Sequence, residues 1–267
     1  MNLTDTFVHR ILNVPYRLNA EISHKAGKKT VVLLHGIGNS LKTWHGIEDR
    51  LGPDYRIVKL DLLGFGKSPK PDWIKYDAVT QARAVRRTIA ELCPGRRVII
   101  VGHSLGSLVA IEVAKRYRLK TQSLILCSPP FYQPEGQAEF AAAPEKLLRY
   151  LYNTVINRSD RAVSLASLAR RFKLIPEEFG LSSDNQAAYI ATLKTMILNQ
   201  TSLRDTSRLS LPISIVYGQF DPLIIPKYYQ KLVRAKSNIT KHKLLSSHEI
   251  DQRYLAKITE IIVEDRV

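Results

Sequence analysis

Cysteine is scarce in this chain, and its scarcity excludes several kinds of protein. Cys93 and Cys127 are the two cysteines among 267 residues, too few for a disulfide framework or a cysteine-rich metal centre. Cys127 ends an apolar run, so we expect a small buried hydrophobic side chain there. Both thiols are expected to be reduced.

Long hydrophobic runs are missing too. Around the middle of the chain the longest stretch without a charge, Val98–Ile111, has 14 residues and contains a histidine and two serines. A membrane-spanning helix needs about 20 apolar residues. The first ten residues show no basic segment followed by an apolar one, so no export signal is visible. These absences predict a cytoplasmic protein without a transmembrane segment.

Negative charge is in short supply. Forty Lys and Arg residues against 24 Asp and Glu residues give a formal net charge of +16. Such a balance can favour nucleic acid or an anionic membrane as a partner. The basic residues are, however, spread over separate segments, and no nucleic-acid-binding motif accompanies them. We expect most of them to be solvated surface, and we expect no specific nucleic-acid partner.

Apolar runs alternating with amphipathic segments are what the chain does contain. This alternation predicts an α/β fold, with a mostly parallel central sheet and helices on both faces. The predicted strands are Val8–Tyr16, Leu18–Ser23, Thr30–Leu34, Tyr55–Leu60, Val98–Val101, Ser123–Cys127, Leu211–Gly218 and Asn238–Leu245. The predicted helices between them are Leu41–Leu51, Asp77–Leu92, Ser107–Lys115, Pro226–Ala235 and Glu249–Val263.

The alternation stops between residues 129 and 208. This block has no convincing strand and predicts three helices, roughly Glu145–Ile156, Asp160–Phe172 and Asp184–Asn199. The apolar stripes of these helices either seat the block on the core or line a pocket. We therefore expect residues 1–128 and 209–267 to form one core, with 129–208 inserted into it.

A serine between two glycines follows the predicted strand Val98–Val101, in the order Gly102-His103-Ser104-Leu105-Gly106. Such a pentapeptide can arise by chance, but here it stands where a strand turns into a helix, which is the context a nucleophile elbow requires. Glycines allow the strand and helix to pack closely, and the helix start offers free N–H groups to an anion. We predict that Ser104 is a nucleophile.

A serine nucleophile needs a base, and the base needs an acid to orient it. Asp221 and His248, both late in the chain, each follow a predicted strand. Open α/β sheets place their sites at the carboxyl ends of their strands. The order serine, aspartate, histidine fits an elbow-type triad. Asp221 could instead be a turn residue before a proline. His248 competes with three other histidines, His35, His103 and His242.

The remaining requirement is an oxyanion hole built from two N–H groups. We predict the backbone N–H of Leu105 as one donor and that of Ile37, in the loop after Thr30–Leu34, as the other. The turn-rich residues Asp61, Gly64, Gly66 and Ser68 favour loop architecture over chemistry. No metal-ligand cluster or cofactor motif is visible, so we predict neither a metal nor a cofactor.

Together these segments resemble the α/β-hydrolase superfamily, in its capped branch of esterases and lipases. The resemblance covers roughly two thirds of the chain and rests on His35-Gly36 with Gly38, Asp61 with Gly64-Phe65-Gly66 and Ser68, the Ser104 pentapeptide, Leu211 to Asp221, and His248. It implies that residues 129–208 are a helical cap. It also implies a carboxylesterase that cleaves small or medium esters through an acyl-enzyme.

Two departures from the family pattern leave the subfamily open. Ser107 stands where many members have a second glycine, and Ser247 precedes His248 where glycine is commoner. A serine nucleophile argues against the dehalogenase and epoxide-hydrolase relatives, which use aspartate. The alternatives are a carbon–carbon bond hydrolase or thioesterase with the same triad, and a ligand-binding receptor of the same fold. The substrate, expected to be a small ester-like molecule, and the oligomeric state stay open.

Overall fold

A single seven-stranded sheet organises the computed structural model, which describes residues 3–157 and 181–264. The strands are β1 (Ala20–Ser23), β2 (Lys29–Leu34), β3 (Tyr55–Leu60), β4 (Val98–His103), β5 (Thr121–Cys127), β6 (Ile213–Gly218) and β7 (Ile239–Leu244). Their order across the sheet is β1-β3-β2-β4-β5-β6-β7. β1 is antiparallel to β3, and the other neighbouring pairs are parallel. The predicted fold class is confirmed.

The inner strands β2, β4, β5 and β6 are buried along most of their length because both faces of the sheet are covered there. In β2, Val31 and Leu33 enter one hydrophobic cluster while Val32 and Leu34 enter another. Alternate side chains of a strand point to opposite faces, so the sheet separates two cores. This explains why the inner strands are rich in Val, Ile and Leu, whereas the edge strand β7, Ile-Thr-Lys-His-Lys-Leu, carries polar side chains.

Helices supply the other half of each core. They are α1 (Ile47–Leu51), α2 (Ala78–Leu92), α3 (Leu105–Arg116), α4 (Ala143–Asn157), α5 (Gln186–Thr192), α6 (Ser202–Arg208), α7 (Pro226–Ala235) and α8 (Gln252–Glu264). The start of α2 shows how the sequence sets a boundary, since the Asp77 carboxylate accepts the Thr80 N–H at 2.8 Å. Among the described residues, no helix is both long and apolar enough to cross a bilayer.

Two local predictions were wrong. Val8–Tyr16 is not a strand. A short α-helical turn, Leu3–Asp5, is followed directly by a π-helix, Thr6–Ile11, which takes up the first part of that range. The Leu12 and Val14 N–H groups bond to Phe7 and Val8 carbonyls, so local bonds satisfy the backbone that a sheet would otherwise need. Leu41–Leu51 is not one helix. It is a 3₁₀ turn and then α1, divided at Gly46, whose φ is 84°.

Between β5 and β6 the described residues contain helices and no strand. The predicted Glu145–Ile156 helix corresponds to α4, and the predicted Asp184–Asn199 helix corresponds to α5 continued by a π-helix, Leu193–Leu198. The predicted Asp160–Phe172 helix lies outside the described residues. A further helix, α6, comes after the π-helix and shortly before β6.

Asp61, which follows β3, holds the adjoining loops. Its carboxylate accepts the Leu41 N–H at 2.7 Å, the Lys67 N–H at 2.8 Å and the Asn19 side-chain amide at 2.8 Å. A Cβ on Gly66 would lie 2.2 Å from the Asp61 Cγ, so the loop closes tightly around the buried carboxylate. The Asp61 carboxylate is therefore committed to architecture.

We predict that Asp61→Ala lowers the free energy of unfolding by about 3 kcal/mol, because it leaves several hydrogen-bond donors without an acceptor at a buried position. Chemical denaturation measures the change. Asp54→Ala is the matched control, since Asp54 is exposed and its loss should cost less than about 0.5 kcal/mol. Equal losses in the two variants would contradict this role.

Candidate active site

Ser104 lies at the sharp turn between β4 and α3, in a strained backbone conformation. Its φ of 49° and ψ of −116° are unusual for a residue with a side chain. The turn is held by close backbone packing. A Cβ on Gly102 would lie 2.4 Å from the Gly106 carbonyl oxygen, and a Cβ on Gly106 would lie 2.3 Å from the Leu34 carbonyl oxygen. Both flanking glycines are therefore needed for this geometry.

Ser107, the departure from the usual second glycine, fits without disturbing the turn. Its buried hydroxyl donates to the Gly102 carbonyl at 2.6 Å. It also lies 3.3 Å from the Cys127 carbonyl oxygen. The hydroxyl thus ties the first turn of α3 back to the end of β4.

Asp221 and His248 form a close pair at the carboxyl ends of β6 and β7. The His248 Nδ1 lies 2.7 Å from the Asp221 Oδ2, and the other carboxylate oxygen accepts the Leu223 N–H at 2.9 Å. Burial raises the pKa of Asp221. The hydrogen bond and charge of His248, with hydrogen bonds from Ser128 and Leu223, outweigh burial and leave that pKa below its usual value. An ionised Asp221 makes Nδ1 the protonated nitrogen, which leaves Nε2 as an acceptor.

Ser104 and His248 line the same cavity, of about 180 Å³. Within the described part of the chain, the Ser104 hydroxyl has no hydrogen-bond partner, so the structure brings serine and histidine to one cavity without joining them. The other lining residues are Gly36, Ile37, Asn39, His103, Pro130, Tyr152, Val155, Tyr189, Leu193, Ile197, Leu223 and Glu249. None of these is Lys or Arg, and most are apolar.

Both predicted oxyanion donors lie beside Ser104. Ile37 lines the cavity, and its N–H donates to none of the other described residues. Leu105 is the first residue of α3, where an N–H has no carbonyl one turn earlier to bond with. Gly36 keeps the first loop close, since a Cβ there would lie 3.4 Å from the Ser104 Cβ. The two N–H groups are thus available to an anion at the serine.

The competing histidines are occupied elsewhere. His35 is buried, with Nδ1 donating to the Gly36 carbonyl at 2.7 Å and Nε2 accepting the Leu62 N–H at 2.9 Å. Burial lowers its pKa to about 4. His242 lies on β7 and contacts the Thr240 hydroxyl at 3.2 Å. Neither residue is among those that line the cavity.

His103 also lines the cavity but faces the histidine loop. Its Nε2 lies 2.9 Å from the His248 carbonyl oxygen, so this nitrogen donates. Burial and then the neighbouring His248 lower the pKa of His103 to about 3. It is a neutral residue that anchors the backbone of His248.

Two buried hydroxyls that sequence reasoning missed stand behind Asp221. Ser128 follows β5 with a φ of 46°, and its Oγ lies 2.8 Å from the hydroxyl of Tyr254 on α8. The Tyr254 hydroxyl also donates to the Ser247 carbonyl at 3.2 Å. This cluster connects Asp221 to the loop that carries His248. Its sequence signal is weak, because no spacing links a serine after one strand to a tyrosine in the last helix.

No metal centre is suggested by the described residues, which contain no group of three or more His, Cys, Asp and Glu side chains placed to hold an ion.

Comparisons with known proteins agree with the geometry. Residues 29–250 match the family model described as alpha/beta hydrolase fold. The chain is 30% identical to the pimeloyl-[acyl-carrier protein] methyl ester esterase of Aeromonas hydrophila, over 73% of this chain and 78% of that protein. It is also 30% identical to the probable lysophospholipase BODYGUARD 2 of Arabidopsis thaliana, over 42% of this chain but only 25% of that protein.

A solved structure with a similar backbone is a thermophilic esterase from Thermogutta terrifontis. Its TM-score is 0.72 at 20% identity, covering 92% of each chain. At this identity the likeness concerns the fold alone.

We predict that Ser128→Ala raises the pKa of Asp221, because the variant removes a hydrogen bond that favours the carboxylate. NMR titration of the aspartate carboxyl carbons measures the shift. Ser246→Ala is the matched control, because the Ser246 hydroxyl donates to a different carboxylate, Asp251, at 2.7 Å. An unchanged Asp221 titration in Ser128→Ala would contradict the assignment.

We also predict that the free energy of unfolding of Ser128→Ala depends less on acidic pH than that of the wild type. A lowered carboxyl pKa stabilises the folded chain above the unfolded pKa, and this contribution disappears as the pH falls through the folded pKa. Because Ser128→Ala brings the two values closer, its free energy of unfolding should fall less on acidification.

Proposed function

Because the chain belongs to the alpha/beta hydrolase family, we propose that it is a serine hydrolase that cleaves small or medium carboxylic esters through an acyl-enzyme. The observation that carries this proposal is the Asp221–His248 pair at 2.7 Å, whose histidine lines the same cavity as a serine held in a strained elbow.

The proposed chemistry assigns one task to each group. His248 Nε2 accepts the Ser104 proton as the hydroxyl attacks the ester carbonyl, and later returns a proton to the departing alcohol. Asp221 fixes the imidazole tautomer and stabilises the imidazolium. The N–H groups of Ile37 and Leu105 stabilise the oxyanion, where losing one donor typically costs about 3–4 kcal/mol of transition-state stabilisation. Water then cleaves the acyl-enzyme by the reverse sequence of proton transfers.

The cavity supports an ester with an uncharged, apolar acyl group. Its described walls are mostly hydrophobic and carry no cation that would pair with a substrate carboxylate. The tyrosines Tyr152 and Tyr189 add aromatic surface, and burial raises the pKa of each, so both stay neutral. The esterase activity named for the Aeromonas relative is in keeping with this substrate class.

We further propose that residues 129–208 form a cap over the core made by 1–128 and 209–267. The described helices of this block supply one wall of the cavity. Tyr152 and Val155 come from α4, Tyr189 from α5, and Leu193 and Ile197 from the π-helix that follows. Ile190, also on α5, packs against the core but is not among the residues that line the cavity.

We predict that His248→Ala and Asp221→Asn each lower kcat by about 10⁴-fold on p-nitrophenyl esters. Each variant should add little to the loss caused by Ser104→Ala, because the three groups act as one unit. His242→Ala is the matched control and should keep full activity. Near-wild-type turnover by His248→Ala would contradict the assignment of the base.

The same assay separates the alternatives. Steady turnover of esters supports the proposed esterase, whereas turnover of thioesters or of carbon–carbon substrates alone would replace it. A single labelling event with every substrate, without turnover, would identify a ligand-binding receptor.

We predict that Leu193→Ala changes acyl-chain preference. Removing this side chain lengthens the cavity, so the ratio of kcat/KM for a hexanoyl ester to that for an acetyl ester should rise about tenfold. Leu198→Ala is the matched control, because Leu198 is a buried leucine of the same π-helix that does not line the cavity. Identical chain-length profiles in both variants would contradict the cap as the acyl wall.

A further inference from the structure

A buried tyrosine in the segment after β5 is bonded to the loop that carries Asp221. Tyr132 is fully buried, and its hydroxyl donates to the Leu223 carbonyl at 2.8 Å. The Leu223 N–H in turn donates to the Asp221 Oδ1 at 2.9 Å. The tyrosine hydroxyl and the Asp221 carboxylate are therefore connected through the backbone of a single residue, Leu223.

Few other hydrogen bonds hold this part of the loop. The two residues before Asp221 are bonded to the end of β7 and to the loop after it. Beyond Asp221 the chain continues with Pro222, which has no N–H to donate. Among the residues that the structure describes, the Tyr132 bond is the one hydrogen bond that joins residues 222–224 to another segment of the chain. The hydroxyl is therefore placed to hold the Leu223 backbone.

The direction of the Tyr132 bond is fixed by chemistry. A carbonyl only accepts, so Tyr132 donates its single hydroxyl proton to Leu223. The hydroxyl of Tyr152 on α4 lies 3.4 Å from that of Tyr132, and it can take part only as a donor to the Tyr132 oxygen. Burial raises the pKa of Tyr132 well above its usual value, so the phenol keeps its proton at neutral pH.

A carboxylate that orients an imidazole must itself be held in one rotation. The Asp221 Oδ2 faces the His248 Nδ1 at 2.7 Å, while the Leu223 N–H occupies Oδ1. Hydrogen bonds from surrounding groups are what keep such a catalytic arrangement within its productive geometry.

We infer that Tyr132 is a positioning residue of the proposed triad, which acts through Leu223 to keep the Asp221 carboxylate facing His248. Tyr132 does not line the cavity, so it does not contact the substrate there. The inference rests on the proposed function for its role in catalysis. The bond from Tyr132 through Leu223 to Asp221 can be tested without turnover.

The direct test is NMR titration of the aspartate carboxyl carbons in Tyr132→Phe, which loses the hydroxyl and keeps the ring. With its carbonyl unbonded, Leu223 should hold Asp221 less well. The pKa of Asp221 should then rise, because the Leu223 N–H favours the carboxylate. Placing 4-aminophenylalanine at position 132 returns a donor and should restore the wild-type titration.

Tyr76→Phe is the matched control. Tyr76 is also buried, and its hydroxyl donates to the Pro71 carbonyl at 2.7 Å. Tyr76 precedes α2 and does not line the cavity. This variant loses a comparable hydrogen bond, so it should leave both the Asp221 titration and kcat unchanged.

Kinetics supply the second readout. On p-nitrophenyl esters, Tyr132→Phe should lower kcat about tenfold and change KM less than twofold, because it alters the orientation of a catalytic group and no substrate contact. In an Asp221→Asn background the same change should cost less than twofold, because Tyr132 acts through Asp221. A tenfold loss in both backgrounds would show a merely structural contribution and overturn the inference.

An unchanged Asp221 titration in Tyr132→Phe, with folding confirmed by circular dichroism, would also overturn the inference. Absence of ester turnover in the wild type would instead contradict the proposed function, and the titration would still decide whether Tyr132 holds Asp221.

Discussion

The close approach of three backbone segments at Ser104 is the constraint on which the rest of the site depends. Gly106 in the first turn of α3 leaves no room for a side chain against the Leu34 and His35 carbonyls, and Gly102 leaves none against Gly106. This contact forces Ser104 to a positive φ. It also brings the loop that carries Ile37 to the start of the helix. The strained serine and the two free N–H groups are thus consequences of the same packing.

Electrostatics then distinguishes the histidines that share this end of the sheet. His35 and His103 are buried without an acidic hydrogen-bond partner, and burial lowers the pKa of each, so both stay neutral. His248 alone among these three is hydrogen-bonded to a carboxylate. Asp221 remains ionised despite burial because its oxygens accept several hydrogen bonds. Ser128 and Tyr254 extend this network to α8 and so connect Asp221, the loop that carries His248 and the last helix.

Local signals explain what could be predicted from the sequence. Runs such as Val98–Val101 are buried on both faces, so composition alone indicates strands, and the glycines around Ser104 have a steric reason that the pentapeptide displays. Asp221 and His248 could be found because parallel strands end at one edge. Ser128 and Tyr254 could not, since 126 residues separate them and only the folded sheet brings them together. The strand predicted over Val8–Tyr16 is wrong because partial alternation of apolar residues resembles a strand, while the backbone hydrogen bonds of Leu12 and Val14 are local.

The central claim is that Ser104 is the one activated nucleophile of this chain. Intact-mass spectrometry after reaction with a fluorophosphonate, followed by peptide mapping, tests it most directly. The account predicts one adduct per chain, on Ser104, and none on a Ser104→Ala variant with an unchanged melting temperature. An adduct on another residue, or equal labelling of both proteins, would contradict it.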